Sequence, residues 1–422
     1  MTVPRVLAII GSGETAPTMT SVHAELFQLA GAAGERAVML DTPFGFQENA
    51  DEVAARAVAY FRDSVGRRVA VARFRDAQTA SPLEYEQMCA QVAQAGWVFA
   101  GPGSPTYAIR QWRGTRVPEL LAGKLERGGV VVFSSAAAVG LGEVAVPVYE
   151  IYKVGQAPEW VDGLDLMRHA GLRAAVIPHY NNAEGGTHDT RFCYLGERRL
   201  RVLEATLPDG CGILGVDEHT ACIIDVERGS LSVRGRGRVI WRSDGVERQW
   251  RAPDVVSLEE MTSGDGAAVR GAGEVAPAQG QPGAGGEGTN PFMDEVSSQR
   301  DAAVAALAAR DPDGAAAAIL AMETALHEWS RDTLQSDDPD RARAALRELV
   351  VRLAELARGG AADPRDRVAP FVDAMLGLRD RARADGRFGD ADALREALVA
   401  TGVAVHDTPQ GSTWELRPAV PA

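Results

Sequence analysis

Short apolar runs recur through the first 180 residues of the chain and alternate with longer segments that have a helical pattern. The runs are rich in β-branched residues and contain few polar ones: Val6–Ile10, Ala37–Leu40, Val69–Ala72, Trp97–Ala100, Val130–Phe133 and Ala174–Ile177. Runs of this kind are typical of strands buried on both faces, and the segments between them supply the crossover helices. The pattern therefore predicts an α/β fold with a doubly wound, mainly parallel sheet.

From Ile213 onward, the apolar segments follow one another more closely and are separated by turn residues such as Asp244-Gly245. Close spacing with tight turns is the pattern of antiparallel strands. The segments are Ile213–Val216, Ala221–Val226, Ser230–Arg234, Arg238–Trp241 and Val246–Trp250. We expect these strands to finish one edge of the sheet, within a domain that spans residues 1–256.

The chain beyond this domain begins with a segment rich in Gly, Ala, Pro and Gln. Because Thr262–Pro291 has almost no large apolar residues, it cannot bury enough surface to offset its chain entropy. We therefore assign a flexible linker to residues 257–291, a helical region to 292–358 and a final module to 359–422. In that module the pattern predicts a helix pair and a β-hairpin, with a core of Phe371, Leu376, Leu378, Leu394, Leu398 and Trp414.

If this assignment is right, limited proteolysis will cut first between Thr262 and Pro291 and will release two stable fragments. Gel electrophoresis and mass spectrometry of a digestion time course would locate the cuts. A first cut inside either predicted folding unit would contradict the linker assignment.

Composition and charge narrow the classes of function. The 422 residues are 45% hydrophobic and 24% charged, with 44 basic and 58 acidic side chains and a net charge of −14. This balance disfavours a general nucleic-acid or anionic-membrane binder. The four cysteines form no C-x-x-C pair, which argues against a zinc site or a disulfide framework. We expect no metal and no cofactor.

Two further observations concern location. The apolar run Val6–Ile10 is too short for the core of a signal peptide, and the weakly polar stretch Gly128–Gly142 is too short to span a bilayer. The expected location is the cytoplasm, with no membrane partner.

Candidate chemistry centres on the segment Gly128–Gly140, where a buried strand runs into small residues and then a helix. A serine at such a junction, here Ser135, is held on a sharp bend beside a helix N-terminus that can stabilise an oxyanion. Small residues after a strand are also common for purely structural reasons.

Two other residues complete a set for acyl transfer. His179 follows the strand Ala174–Ile177, at the end of the sheet where open α/β folds build their sites, and Glu150 follows the helix after the serine. Nucleophile, general base and orienting acid are the minimum set. Read alone, His179 is better explained as an ordinary loop histidine, and Glu150, more strongly, as a solvated surface acid.

Residues 6–226 resemble the cyanophycinases and aspartyl dipeptidases, serine peptidases on a class-I glutamine-amidotransferase-like fold. Four segments match in order: Ile9–Glu14, the opening glycine strand; Val98–Ser104, the glycine-rich strand end; Ser134–Ala138, the serine elbow; and Gly215–Ala221, the late acidic strand. The resemblance implies that Ser135 is the nucleophile, His179 the base and, by spacing, Glu150 the acid. It places the substrate pocket at Gly101, Gly103, Ser104, Ala136, Asp217 and Glu218, with Asp217 and Glu218 as competitors for the role of the acid.

Three positions depart from the family pattern. Phe133 replaces the glycine before the elbow, Ala137 replaces the elbow glycine, and Pro102 lies within the glycine cluster. If the elbow requires a positive φ at position 137, alanine is strained there. Because Pro102 has no N–H, the oxyanion hole would need Gly103 or Gly101 together with the N–H of Ala136.

The end of the chain carries a second resemblance. Leu378–Arg383, Asp390–Leu398, Gly402-Val403 and Asp407–Trp414 resemble the C-terminal module of cysteinyl-tRNA synthetases, which lies near the anticodon end of the tRNA. The same residues also make an adequate structural helical hairpin. Neither the signature motifs nor the zinc-ligand cysteines of a synthetase core are present in the sequence.

Charge weighs against RNA binding by this module. Residues 290–422 contain 16 Arg and 23 Asp or Glu, a net charge of −7, although Arg379, Arg381, Arg383 and Arg387 could form a local patch. We therefore expect a serine hydrolase that acts on a small peptide or isopeptide substrate, and the expected assembly is a homodimer. The alternative is an inactive hydrolase fold used for binding or regulation, with the C-terminal module recognising tRNA or a protein.

Overall fold

The computed structural model describes residues 3–185, 188–263, 290–330, 338–359, 363–408 and 411–417. The chain divides into two compact units: Met1–Asn290 with His327–Ser336, and Pro291–Leu326 with Asp337–Ala422. Most of the predicted linker, residues 264–289, lies outside the described residues. Within them, no helix has both the length and the apolar character needed to cross a bilayer.

The strands of the first unit follow the predicted apolar runs closely. In chain order they are β1 (Arg5–Ile10), β2 (Ala37–Leu40), β3 (Ala70–Ala72), β4 (Trp97–Ala100), β5 (Gly129–Ser134), β6 (Val144–Ala145), β7 (Val161–Asp162), β8 (Ala174–Ile177), β9 (Gly212–Val216), β10 (Thr220–Asp225), β11 (Ser230–Gly235), β12 (Arg238–Ser243), β13 (Val246–Arg251) and β14 (Val255–Ser257).

The helices of this unit lie mainly in the connections between the parallel strands. They are α1 (Thr20–Ala30), α2 (Ala50–Tyr60), α3 (Pro82–Gln94), α4 (Pro105–Trp112), α5 (Val117–Arg127), α6 (Ser135–Val139), α7 (Val148–Tyr152), α8 (Gly196–Glu204) and α9 (Leu258–Ser263). Helix α3 shows why the sequence starts a helix where it does: Ser81 and Glu84 form a reciprocal capping box with Pro82 at the first position.

An eight-stranded sheet carries the core of the first unit, in the order β14-β11-β10-β1-β5-β4-β2-β3. Strands β1 to β5 run parallel, and β10, β11 and β14 add an antiparallel edge. Alternate residues of β1 and β5 face two apolar layers, one containing Leu7 and Phe133 and the other Ala8 and Val132. The predicted α/β class with a mainly parallel sheet is confirmed.

The second sheet was not expected. Strand β8 pairs in parallel with β9 in a separate four-stranded sheet, ordered β13-β12-β9-β8, rather than joining the main one. The late antiparallel strands are thus divided between two sheets and do not finish one edge. Apolar runs show that strands are buried but do not specify which strands pair.

The end of the first unit corrects the assigned start of the linker. Residues 255–263, most of which were assigned to the linker, form β14 and α9. Leu258 and Met261 are buried against the main sheet, so this segment belongs to the folded domain. The four cysteines of the chain are buried and unpaired.

The second unit is helical and ends in a hairpin. Its elements are α10 (Pro291–Ala308), α11 (Pro312–Trp329) as far as Leu326, α12 (Asp338–Gly359), α13 (Pro364–Ala384), α14 (Phe388–Ala400), β15 (Val403–Thr408) and β16 (Gly411–Leu416). Its hairpin core contains Leu376, Leu398 and Trp414, as predicted. Phe371 and Leu378 are instead exposed, because Val372 occupies the inward face of α13.

A histidine of α1 is enclosed in an apolar layer of the first unit. His23 is fully buried, its Nε2 lies 2.8 Å from the carbonyl oxygen of Glu14, and four aromatic rings surround it. Burial lowers the pKa of His23 to about 4, although the hydrogen bond to Glu14 acts in the opposite direction. The folded state therefore keeps this imidazole neutral through the mildly acidic range.

This pKa predicts a loss of stability on acidification. Because the unfolded state takes up a proton near pH 6.5 and the folded state only near pH 4, the free energy of unfolding falls as pH drops through that window. The shift corresponds to about 3 kcal/mol at most. Denaturant unfolding at pH 7 and pH 4.5 should show a larger fall for the parent protein than for His23→Leu. Equal falls would contradict the prediction.

Candidate active site

Ser135 lies at the point where β5 ends and α6 begins. Its backbone has a φ of +48°, in the left-handed region that residues with a side chain seldom occupy. The neighbouring side chains of Ser134 and Ala136 are buried, whereas Ser135 is partly exposed. The bend therefore presents a single hydroxyl, and backbone strain of this kind is typical of functional sites.

The departures at Ala137 and Phe133 do not distort this bend. The positive φ belongs to Ser135 and not to Ala137, which is helical and donates its N–H to the carbonyl oxygen of Gly101 at 3.2 Å. Phe133 is a strand residue buried beside Trp112. The expectation of a strained alanine was therefore wrong.

His179 reaches the serine from the second sheet. It follows β8 after Pro178 and has a φ of +48°. Its backbone N–H donates to the carbonyl oxygen of Gly11 at 3.3 Å. Its Nε2 lies 2.9 Å from Oγ of Ser135. The sequence-based pairing of Ser135 with His179 thus has the geometry of a nucleophile and its base.

The carboxylate beside His179 is Glu218. Its Oε1 lies 2.8 Å from Nδ1 of His179, so both nitrogens of the ring are occupied. The register of the second sheet explains this contact, because Ile177 pairs with Gly215 and the two parallel strands end side by side. A proton on Nδ1 then leaves Nε2 free to accept from the serine hydroxyl.

Glu150 does not occupy the position proposed for the acid. Its Oε1 accepts a hydrogen bond from Oγ1 of Thr106 at 2.7 Å. Its Oε2 is buried without a hydrogen-bond partner among the described residues. Spacing along the chain suggested Glu150, but α7 directs this carboxylate toward α4 instead.

The histidine and the acid stabilise each other's charge. Burial alone would lower the pKa of His179, but the hydrogen bond and charge of Glu218, with the charges of Glu14 and Glu184, raise it above its usual value. Burial would raise the pKa of Glu218, yet its hydrogen bonds to His179 and Asn182 hold it below the usual range. An ionised Glu218 thus favours a protonated His179.

The glycine cluster after β4 lies next to the elbow. Gly103 has a φ of +141°, and a Cβ there would overlap the carbonyl of Pro43, so only glycine fits. Its carbonyl oxygen accepts from the hydroxyl of Tyr149 at 3.1 Å. The N–H of Ala136 lies in the first turn of α6 and has no acceptor within that helix. Gly103 and Ala136 remain our proposed oxyanion donors, with Gly101 contributing its carbonyl to α6.

Two residues assigned to the substrate pocket have structural partners. Oγ of Ser104 caps α4 by accepting from the N–H of Tyr107 at 3.3 Å. Asp217 is buried and accepts from both the backbone N–H and Nε of Arg238, each at 2.9 Å. Both side chains therefore have hydrogen-bond partners within the fold.

Sequence reasoning missed several residues around the site. Glu14 accepts from Oγ of Ser134 at 2.7 Å, the amides of Asn181 and Asn182 contact Glu218, and Tyr194 packs against His179. Glu14 ends the segment Ile9–Glu14, and the two asparagines follow His179 by two and three positions, which was the available signal. Among the described residues, no cluster of His, Cys, Asp and Glu side chains could hold a metal ion.

Comparison with known proteins separates the two units. The first has the fold of a peptidase from an acI-B1 Actinobacterium, with a TM-score of 0.50 and 20% identity over 61% of this chain and 98% of that one. Residues 365–414 match the family described as the cysteinyl-tRNA ligase anticodon binding domain. The two ends of the chain resemble two different kinds of protein.

The curated relatives are cysteine–tRNA ligases, and the matches at the highest identity are short. Cysteine–tRNA ligase of Salinibacter ruber is 49% identical over 49 residues, which are 12% of this chain and 10% of that protein. The enzyme of Arthrobacter sp. is 37% identical over 102 residues, 22% and 21% of the two chains. This chain thus spans about a tenth to a fifth of these relatives. Both predicted resemblances are confirmed, the first at the level of the fold.

Proposed function

We propose that the first unit is a serine hydrolase that transfers an acyl group from a small peptide or isopeptide to water. The observation that supports this most is the continuous contact from Ser135 through His179 to Glu218, set on a strained strand–helix bend. Nucleophile, base and orienting acid in this order are the recurring arrangement for acyl transfer. Glu218 takes the role that spacing had suggested for Glu150.

The proposed reaction has two halves. First, Oγ of Ser135 bonds to the carbonyl carbon while its proton passes to Nε2 of His179; the C–N bond then breaks and the leaving amine takes that proton. In the second half, water attacks the acyl-serine, gives a proton to Nε2, and Oγ regains it as the ester bond breaks. The N–H groups of Gly103 and Ala136 would stabilise the oxyanion in each half.

Reaction with a fluorophosphonate probe tests this proposal and has a defined pH dependence. Because the pKa of His179 is raised, the imidazole is protonated and unable to accept the serine proton below that value. The second-order rate constant of labelling should therefore rise with pH, with a midpoint above the usual histidine value of about 6.5. A midpoint below that value would show that Glu218 does not control the base.

A second candidate function rests on the match of residues 365–414 to an anticodon-binding domain. In this reading the chain is a binding protein whose C-terminal module contacts tRNA. Three arginines of the expected patch are already paired with aspartates: Arg379 and Arg383 with Asp407, and Arg387 with Asp385 and Asp390. No fluorophosphonate labelling, together with salt-dependent binding of tRNA, would favour this candidate.

A further inference from the structure

We propose that Asn182 is a positioning residue for the proposed reaction: its amide fixes the oxygen of Glu218 that faces His179. This inference rests on the proposed hydrolase function. It assigns a role to a residue that does not touch Ser135 and that the sequence pattern did not single out.

The contacts of Asn182 are directional at both ends of the amide. Its Nδ2 donates to Oε1 of Glu218 at 3.0 Å, and its Oδ1 accepts from the N–H of Glu184 at 3.3 Å. A flipped amide would place an oxygen against the carboxylate and an NH₂ group against an N–H, so this orientation is determined by its partners. The side chain is fully buried.

The amide and the imidazole share one acceptor atom. Oε1 of Glu218 receives both Nδ2 of Asn182 and, at 2.8 Å, Nδ1 of His179. Rotation of the carboxylate away from His179 would therefore break two hydrogen bonds in a site where burial makes unpaired polar groups costly.

The loop that carries Asn182 is tied to the loop that carries Glu218 at a second point. The backbone N–H of Glu218 donates to Oδ1 of Asn181 at 2.8 Å, and the N–H of Asn182 donates to the carbonyl oxygen of His179 at 3.1 Å. His179, the two asparagines and Glu218 thus belong to one hydrogen-bonded network. Because the side chain of Asn182 makes no hydrogen bond to Ser135 or to the imidazole of His179, it acts through Glu218.

Neighbouring titratable groups also affect the pKa values of His179 and Glu218. Those that act on one or both are Glu14, Glu184 and His219. Cys193 and Tyr194 also lie beside the histidine, with their pKa values raised by burial and by neighbouring carboxylates. The variants below leave all five of these residues in place.

The first test is Asn182→Leu, which keeps the number and branching of the side-chain heavy atoms and removes both hydrogen bonds. The fluorophosphonate rate constant should fall about tenfold or more at every pH, because a misdirected Glu218 no longer orients His179. The matched control is Gln111→Leu, which removes a buried amide that binds the N–H of Ala77. A folded Asn182→Leu protein that reacts within twofold of the parent would overturn the proposal.

The second test is Asn182→Asp, whose acid has the same shape but can donate to Glu218 only while protonated. Two carboxyl groups that share a proton titrate with one raised pKa. The labelling rate should therefore approach that of the parent at low pH and decline as the new acid ionises. The plot of rate against pH then changes from a single rise to a bell shape. A purely structural role would lower the rate without changing this shape, and an unchanged profile would reject positioning.

A readout that does not require a reactive serine separates this inference from the proposed function. In ¹H NMR spectra, the Nδ1 proton of His179 should give a far-downfield resonance in the parent, which shifts or disappears in Asn182→Leu and persists in Gln111→Leu. If the parent does not react with the probe but this resonance responds, the positioning role stands and the hydrolase proposal fails. If the probe labels Ser135 and neither rate nor resonance responds to Asn182→Leu, the positioning role fails alone.

Discussion

Ser135→Ala is expected to abolish covalent capture of a fluorophosphonate while leaving the protein folded. The reason is specific to the bend: Ser135 is the partly exposed hydroxyl within hydrogen-bond distance of His179. Without Oγ there is no atom to form the bond to phosphorus, and removal of a triad nucleophile in known serine peptidases costs about 10⁶-fold in turnover. Mass spectrometry of the labelled parent should locate the probe on this residue.

Two neighbouring serines serve as matched controls for this result. Ser134→Ala removes a hydroxyl that donates to Glu14, and Ser104→Ala removes the cap of α4. Each affects local stability and should retain labelling at Ser135. A probe found on Ser134 or Ser104 in the parent protein would overturn the assignment of the nucleophile.

The second large effect concerns the choice between two acids. Glu218→Gln should lower the labelling rate about 10³- to 10⁴-fold, because an amide at this position neither favours the Nδ1–H tautomer nor stabilises the imidazolium. It should also shift the pH midpoint downward, since burial then lowers the pKa of His179 with less opposition. Stopped-flow or gel-based labelling from pH 5 to pH 9 would measure both changes.

Glu150→Gln provides the contrast. Its carboxylate contacts Thr106 rather than His179, so the rate and the pH midpoint should stay near those of the parent. The reverse outcome, with a severe loss for Glu150→Gln and little for Glu218→Gln, would restore Glu150 as the acid and refute the geometry described above.

The parts of this site that depend on interactions between residues close together in the chain could be predicted from the sequence. Apolar runs mark β5 and β8, and Ser135 and His179 lie one and two residues beyond these strands, so their placement at the carboxyl ends of strands was predictable. The helical hairpin at the end of the chain was predictable for the same reason, because its caps, turns and apolar spacing lie within a few residues of one another.

What could not be predicted depends on contacts between distant segments. Glu218 faces His179 because β8 pairs with β9 in a particular register, and no local pattern specifies that register. The backbone torsions of the elbow could not be predicted either. The alanine in place of the family's glycine suggested strain at Ala137, whereas the residue with a positive φ is Ser135 itself. Phe371 was expected in the core because helical spacing alone does not show which face of α13 the hairpin covers.

The division of the first unit into two sheets has a consequence for how the reactivity of Ser135 would be lost when the protein is destabilised. Ser135 is carried by the eight-stranded sheet, whereas His179 follows the four-stranded one, so their 2.9 Å contact depends on the alignment of two sheets whose strands pair separately. A small shift of one sheet against the other breaks no strand pairing, yet it separates Oγ from Nε2. Heat or mild denaturant should therefore abolish labelling of Ser135 before circular dichroism records any loss of secondary structure, and repacking side chains between the sheets should change the labelling rate without a substitution in the proposed triad.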